Sequence, residues 1–255
     1  MARDIPSGTS GSRPAGDAVA PLSTDDILAL HDAGAGLDEL DRTLLAVSLR
    51  HSGSEDRIPL GVRDRLLLDM HCVTFGPVID AVASCPACAV QMDIPLDAAA
   101  LVVEPKPGAS PQIMVDDWNV LVRPLDTADL RRAAACQDQA AAARLLAHAA
   151  IVSASCGGRP VAADQLPPEL KRAAEQAVLA LDPMAETIVD VACPACGSVT
   201  PLALDIAAFL WSAIDQAASG LLDEVATLAR CYGWSEGDVL AMSPHRRLHY
   251  LAAAE

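Results

Sequence analysis

The tetrapeptide Cys-Pro-Ala-Cys occurs twice in this chain, at residues 85–88 and again at 193–196. Two thiols three positions apart on a tight turn converge on one point. Two such turns supply four sulfurs, the donor set of a tetrahedral structural zinc site. The expected ligands are Cys85, Cys88, Cys193 and Cys196, holding one zinc per chain. Four protein ligands leave no open coordination position, so a metal held this way is structural and takes no part in catalysis. The rival chemistry is thiol–disulfide exchange, with one or both pairs acting in a cytosolic oxidoreductase. Exchange motifs follow a strand and open a helix, whose N-terminus lowers the thiol pKa. Here extended-looking sequence follows each pair, at residues 90–94 and 198–204, which favours metal.

The elements that must position the thiols follow from those flanks. Residues 77–97 and 186–204 read as two β-hairpins with a Cys-Pro-Ala-Cys tip each. A short zinc ribbon separates its two tips by roughly fifteen to twenty residues, whereas residues 89–192 intervene here. One shared metal would therefore close a very long loop, the kind of clip that restricts an unfolded chain most. Upstream, residues 1–22 are rich in Gly, Ser, Pro and Ala and read as a flexible tail. Three helices are expected within 23–76, the third running over 61–75 with Leu66, Leu67, Met70 and Val73 inward. Residues 52–59 read as a polar loop, and the proline-rich stretch 104–111 as a linker. The insert, 111–182, begins with a hairpin whose alternation of Trp118, Val120 and Val122 marks one buried face. A long Ala-rich helix from 127 to about 152 follows, ended by Gly157 and Gly158, and then a helix from 168 to 181.

After the second hairpin comes the longest helical pattern. Ile206, Leu210, Ile214, Leu221, Val225, Leu228 and Tyr232 repeat at three- and four-residue spacing, and Trp211 and Leu222 widen that face. A face so wide needs two neighbours. Two shorter helices complete 205–255. Helices 221–242 have the outline of a DNA-reading pair, but the second carries Glu236 and Asp238 and no Lys or Arg, which repels phosphate.

Composition narrows the classes further. The formal net charge is −16, with 52% hydrophobic and 20% charged residues. Such a surface disfavours nucleic acid and anionic lipid and suits a basic protein surface. No segment has the layout of a signal peptide and no uncharged apolar run is long enough to span a bilayer. A reducing cytoplasmic setting is expected, where paired cysteines bind metal more often than they form disulfides. Cys72, Cys136, Cys156 and Cys231 lack partner spacing, and no His pair or glycine loop of known catalytic spacing is present. No enzyme activity and no small-molecule substrate are expected. Five of the aromatic residues (Phe209, Trp211, Tyr232, Trp234 and Tyr250) fall after residue 205, which marks the C-terminal part as the best-specified piece and the candidate partner surface. Arg246 and Arg247, in the first turn of the last helix, either pair with this chain's own carboxylates, the favoured reading, or meet an acidic patch on a partner.

Taken together with residues 60–68, 75–77, 205–211 and 228–247, the paired Cys-Pro-Ala-Cys motifs resemble the baseplate-hub assembly chaperone family of contractile phage tails, which also occurs in gene clusters for phage-tail-like contractile injection systems. The likeness spans about residues 23–255. It implies a non-enzymatic assembly factor or component of the baseplate hub, cytoplasmic or associated with the particle, whose partners are hub or spike proteins. The expected fold is α+β and mainly α. It is a single zinc-stapled domain over 23–255, in which a zinc-ribbon-like pair of Cys-Pro-Ala-Cys β-hairpins is split by a long insert and flanked by helices.

Overall fold

A computed structural model of the chain describes residues 19–51 and 57–254. Residues 1–18 of the expected tail and 52–56 of the expected loop lie outside the described residues. Helix α1, Thr24–Gly34, opens where Ser23 and Asp26 form a reciprocal capping box, each side chain accepting from the other's backbone N–H. Leu22 is buried against the same core and its N–H donates to Thr74 Oγ1 at 3.0 Å, while Val19 packs beside it. Packing therefore begins upstream of residue 23, because two apolar side chains reach the core from the end of the supposed tail. Helix α2, Glu39–Ser48, is capped by Asp38. Helix α3, Leu60–Phe75, stops at Gly76, whose φ of 105° a side chain would oppose. Its buried residues are Leu60, Gly61, Asp64, Leu67, Leu68, Met70 and His71, with Leu67 and Met70 inward as expected. Val73, expected inward, is exposed, because the stripe they form follows the four-residue ridge toward one neighbour.

Two isolated antiparallel hairpins carry the cysteine motifs. In the first, β1 (Val78–Ser84) pairs with β2 (Gln91–Asp97) so that Ser84 faces Gln91. In the second, β7 (Thr187–Ala192) pairs with β8 (Val199–Leu204) so that Ala192 faces Val199. Pro95 and Pro201 sit inside strands β2 and β8, which is tolerable because every strand of a two-stranded sheet keeps a free edge.

Between the hairpins lies a four-stranded antiparallel sheet in the order β3-β4-β5-β6. Its strands are β3 (Gln112–Val115), β4 (Trp118–Val122), β5 (Ile151–Cys156) and β6 (Arg159–Pro160). The single helix expected over 127–152 is in fact two helices and a strand: α4 (Thr127–Ala134), α5 (Gln139–Ala149) and then β5. Asp138 accepts from the Ala141 N–H and restarts the helix there. Beyond Ala150, β-branched Ile151 pairs with Val122 of β4, and the register then skips Val152 as a bulge. Gly157 and Gly158 are not a helix stop; at φ 56° and 75° they form the tight turn from β5 to β6. Helix α6, Pro168–Leu181, packs Leu170, Ala174 and Val178 against Val120 and Val122 of the sheet, giving the insert its own small core.

Helix α7, Ile206–Tyr232, runs through the main core, where Leu210, Trp211, Ile214 and Ala218 meet Leu30, Val47, Leu67, Met70 and Ile79. Its outer half carries α8 (Glu236–Leu240) and α9 (Pro244–Ala252), with Leu228 and Val239 fully buried there. Most of the wide apolar face thus has its neighbours within the chain, while Leu222 and Tyr232 stay exposed. The architecture is the expected α+β, mainly α fold. Among the described residues no helix is long and apolar enough to cross a membrane.

The insert is rooted on the start of α3. The Gly61 N–H donates to Asp182 Oδ2 at 2.8 Å, and a Cβ on Gly61 would lie 2.1 Å from Asp182 Oδ1. Backbone bonds join Leu60 to Leu125 and Thr127 to Ile58. Arg123 and Arg132 both pair with Asp129, a buried carboxylate at the head of α4.

Candidate metal centre

Each hairpin ends in a turn fixed by two backbone bonds. Cys85 N–H donates to Val90 O and Ala89 N–H to Cys85 O, at 2.9 and 2.8 Å. In the second turn, Cys193 N–H donates to Ser198 O and Gly197 N–H to Cys193 O, both at 2.9 Å. These bonds fold the chain back around the sulfurs and place the residue after the second cysteine in the left-handed region, at φ 60° for Ala89 and 72° for Gly197. Glycine accepts that conformation freely, while alanine is strained by its Cβ.

The four sulfurs lie within 4.8 Å of one another. They meet crosswise: Cys85 Sγ is 3.7 Å from Cys196 Sγ, and Cys88 Sγ is 3.6 Å from Cys193 Sγ. The first cysteine of each turn thus faces the second cysteine of the other, as an approximate two-fold axis requires. A metal bound at about 2.3 Å by four tetrahedral sulfurs would set their separations at about 3.8 Å, close to what these pairs show. Cys85 and Cys193 are buried with Met92 and flanked by Ala83, Ile94 and Val191; Cys88 and Cys196 reach the surface.

The electrostatics of the bare thiols point to a cation. Backbone N–H groups of Cys196 and Ala195 aim at Cys193, pulling that thiol down to about 6. The Val90 backbone pulls Cys88 the same way, yet its contacts with Cys196, Cys193 and Cys85 outweigh that pull and push it up to about 12. One proton leaves the cluster readily and another scarcely at all, because thiolates this close repel each other. A central cation removes the conflict. The four cysteines can therefore hold a metal ion, with all four tetrahedral positions supplied by the protein.

No protein-family model, curated protein or solved structure matches the chain.

The remaining expected site residues divide between surface and interior. Tyr232, Trp234 and Tyr250 form a partly exposed cluster, with Tyr232 stacked on Trp234 at 4.6 Å and Tyr250 edge-on to Trp234 at 4.9 Å. Arg246 is exposed and Phe209 half-buried against the main core. Trp211, by contrast, is a core residue, 5% exposed, with the Arg42 guanidinium 5.3 Å over its ring. Arg247 is also internal, 4% exposed: its Nε donates to Glu224 Oε2 at 2.7 Å and another guanidinium nitrogen to Met242 O at 2.9 Å. It braces α9 against α7, so neither Trp211 nor Arg247 is free to meet a partner. The sequence reading missed Ala89, Gly197, Met92 and Val191, which shape and shield the centre. Only Gly197, directly after its motif, carries a visible signal.

Proposed function

We propose that the centre holds one zinc ion, and that the chain is a non-enzymatic assembly factor or component of the baseplate hub of a contractile phage tail or related injection particle. The observation that carries this reading is the meeting of two identical turns, 105 to 111 positions apart in sequence, through four sulfurs that leave a metal no free position. All-thiolate tetrahedral coordination suits zinc, and a closed site of this kind builds structure without chemistry. What remains for function is surface, and the surface is acidic with an aromatic cluster at Tyr232, Trp234 and Tyr250. Acidic fields steer basic protein partners and repel phosphate and anionic lipid. The likeness of residues 23–255 to the hub-assembly chaperones supplies the identity of the partners: hub or spike proteins, met in the cytoplasm or on the particle.

One observation favours thiol–disulfide exchange, the lowered pKa of Cys193. That sulfur is 3% exposed, however, while exposed Cys88 is pushed up to about 12. An exchanger needs its low-pKa thiol accessible, so the second reading is the weaker one. Metal analysis of the purified protein should return one zinc per chain. Affinity capture from the native host, followed by mass spectrometry, should return hub or spike proteins. Recovery of no tail or baseplate protein would sink the hub assignment, and a metal-free protein active on a protein disulfide would sink the structural-zinc one.

A further inference from the structure

The close sulfur contacts of the metal centre run from one hairpin to the other. Cys85 Sγ lies 3.7 Å from Cys196 Sγ, and Cys88 Sγ lies 3.6 Å from Cys193 Sγ. Each contact joins a buried thiol, Cys85 or Cys193, to an exposed one, Cys196 or Cys88. The exposed member meets solutes while the buried member waits against it, the arrangement of an oxidisable thiol beside a resolving one. A disulfide bond is about 2.05 Å long, so each pair has to close by only about 1.6 Å.

Two features of the fold favour closure between the hairpins over closure within either turn. The hairpins β1–β2 and β7–β8 are separate two-stranded sheets, so they can approach as bodies without breaking a strand ladder. Each turn, by contrast, is held by two backbone hydrogen bonds and by a proline of fixed φ, Pro86 or Pro194. Drawing Cys85 onto Cys88, or Cys193 onto Cys196, would have to bend that backbone. The chain's other four cysteines lie outside the cluster.

We propose that the centre is a redox-regulated clasp, in which a peroxide expels the metal and turns its ligands into two disulfides between the hairpins, Cys88–Cys193 and Cys85–Cys196. This inference rests on the reading of the centre as a zinc site. The sulfur of Cys88, a thiolate while it binds metal, attacks one oxygen of hydrogen peroxide. The O–O bond breaks, the sulfur becomes a sulfenic acid and hydroxide leaves. The Cys193 thiolate then attacks that sulfur, the S–O bond breaks and a second hydroxide leaves. Two thiolates have thus given two electrons to one peroxide. Cys196 and Cys85 repeat the sequence with a second peroxide. The zinc ion, left with two of its four ligands after the first bond, is released.

The long loop between the turns stays closed throughout. Disulfides within each turn would instead cut the two hairpins apart. Metal and crosswise disulfides exclude each other, yet both make the same closure. A clasp of this kind suits a chain met both in a reducing cytoplasm and on a particle outside it.

The test starts from the zinc-loaded full-length protein, treated with limiting and then with two equivalents of hydrogen peroxide. Alkylation with N-ethylmaleimide, digestion and tandem mass spectrometry locate the bonds, while a chromogenic chelator reads the released zinc. At limiting peroxide, the peptide carrying residues 85–88 should be joined to the one carrying 193–196. It should be alkylated either at Cys85 and Cys196 or at Cys88 and Cys193, with one zinc released per cross-link. The oxidised, metal-free protein should melt within about 4 °C of the zinc form, and reductant with chelator should lower its Tm by at least about 8 °C. Looped Cys85–Cys88 or Cys193–Cys196 pairs, a cross-link between Cys88 and Cys196, zinc retained under two equivalents, or zinc released without a cross-link would each overturn the proposal. A protein purified without zinc would overturn the zinc reading, and this inference with it, before any peroxide is added. In a zinc-bound protein, failure here leaves that reading standing.

Discussion

Two clasps close the loop that carries the insert, and they are made of opposite materials. The first is the pair of thiol turns. It depends on four side chains of one kind, and its outer half, Cys88 and Cys196, lies at the surface. The second is the root on α3, where the Gly61 N–H meets Asp182 and backbone bonds join Leu60 to Leu125 and Thr127 to Ile58, braced by the Arg123–Asp129 pair within the insert. It depends on ordinary residues and on close backbone approach in a site with no room for a methyl group. A metal clasp can form between loosely packed hairpins because the ion supplies the energy and the geometry. A polar clasp must be dry and tight, because each buried group is costly unless its partner is in place.

Removing a metal ligand should produce the largest effect and should not distinguish the two turns. Cys85→Ser and Cys193→Ser are each expected to abolish stoichiometric zinc and to destabilise the fold by at least about 4 kcal/mol, read by metal analysis and thermal unfolding. Unequal losses, with one variant keeping its zinc, would mean that the two turns do not share an ion.

At the root, Gly61→Ala should cost about 3 kcal/mol, since its Cβ would displace Asp182 or the backbone at Ala185. Denaturant unfolding measures this, and a change below about 1 kcal/mol would show that the root is looser than described. The root should also respond to acid, below the pH at which protonation of the thiolates has already released a metal from the other clasp. Burial alone would raise the pKa of Asp129, but hydrogen bonds from Arg123, the Asp126 backbone and Arg132 outweigh it and hold the carboxyl down to about 2. The unfolded value is about 3.9, so ionised Asp129 stabilises the fold fully above about pH 4, and that contribution is lost as pH falls through about 2. Allowing for solvent near the half-exposed arginines, it is about 1 kcal/mol. Asp129→Asn should flatten stability between pH 4 and pH 2; an unchanged acid limb would remove Asp129 from the clasp.

The smallest effects compare the two turns with each other. Ala89 and Gly197 occupy equivalent left-handed positions. Ala89→Gly should stabilise by about 0.5 kcal/mol and Gly197→Ala should destabilise by about 1 kcal/mol. Competition with a chelator would report both, and shifts of the same sign would break the equivalence.

The same contrast explains what could be read from the letters of the chain. Cys85, Cys88, Cys193 and Cys196 announce a cluster able to hold a metal ion because thiols at this spacing have few other uses, and the hairpins and α7 follow from local periodicity. The helix–strand switch after Ala150 was hidden, since Ala-rich sequence continues the helical pattern until Val122 of a distant strand, β4, captures Ile151. Arg247 looked like surface because charge usually is; its burial depends on Glu224, 23 positions distant. Trp211 lay on a face so wide that periodicity could not tell core from docking surface. Asp182 and Gly61 gave no signal at all, because their bond spans 121 positions and neither residue type is unusual.

The separation of the two cysteine turns also sets a clock on synthesis. A ribosome adding about 5–20 residues per second needs roughly 5–20 s to produce the 105 positions between Cys88 and Cys193. Throughout that interval the first turn exists as a half-site of two thiols. Helix α7, which fills the middle of the main core, emerges later still. The N-terminal helices therefore wait, unsealed, until residues 206–232 have been made.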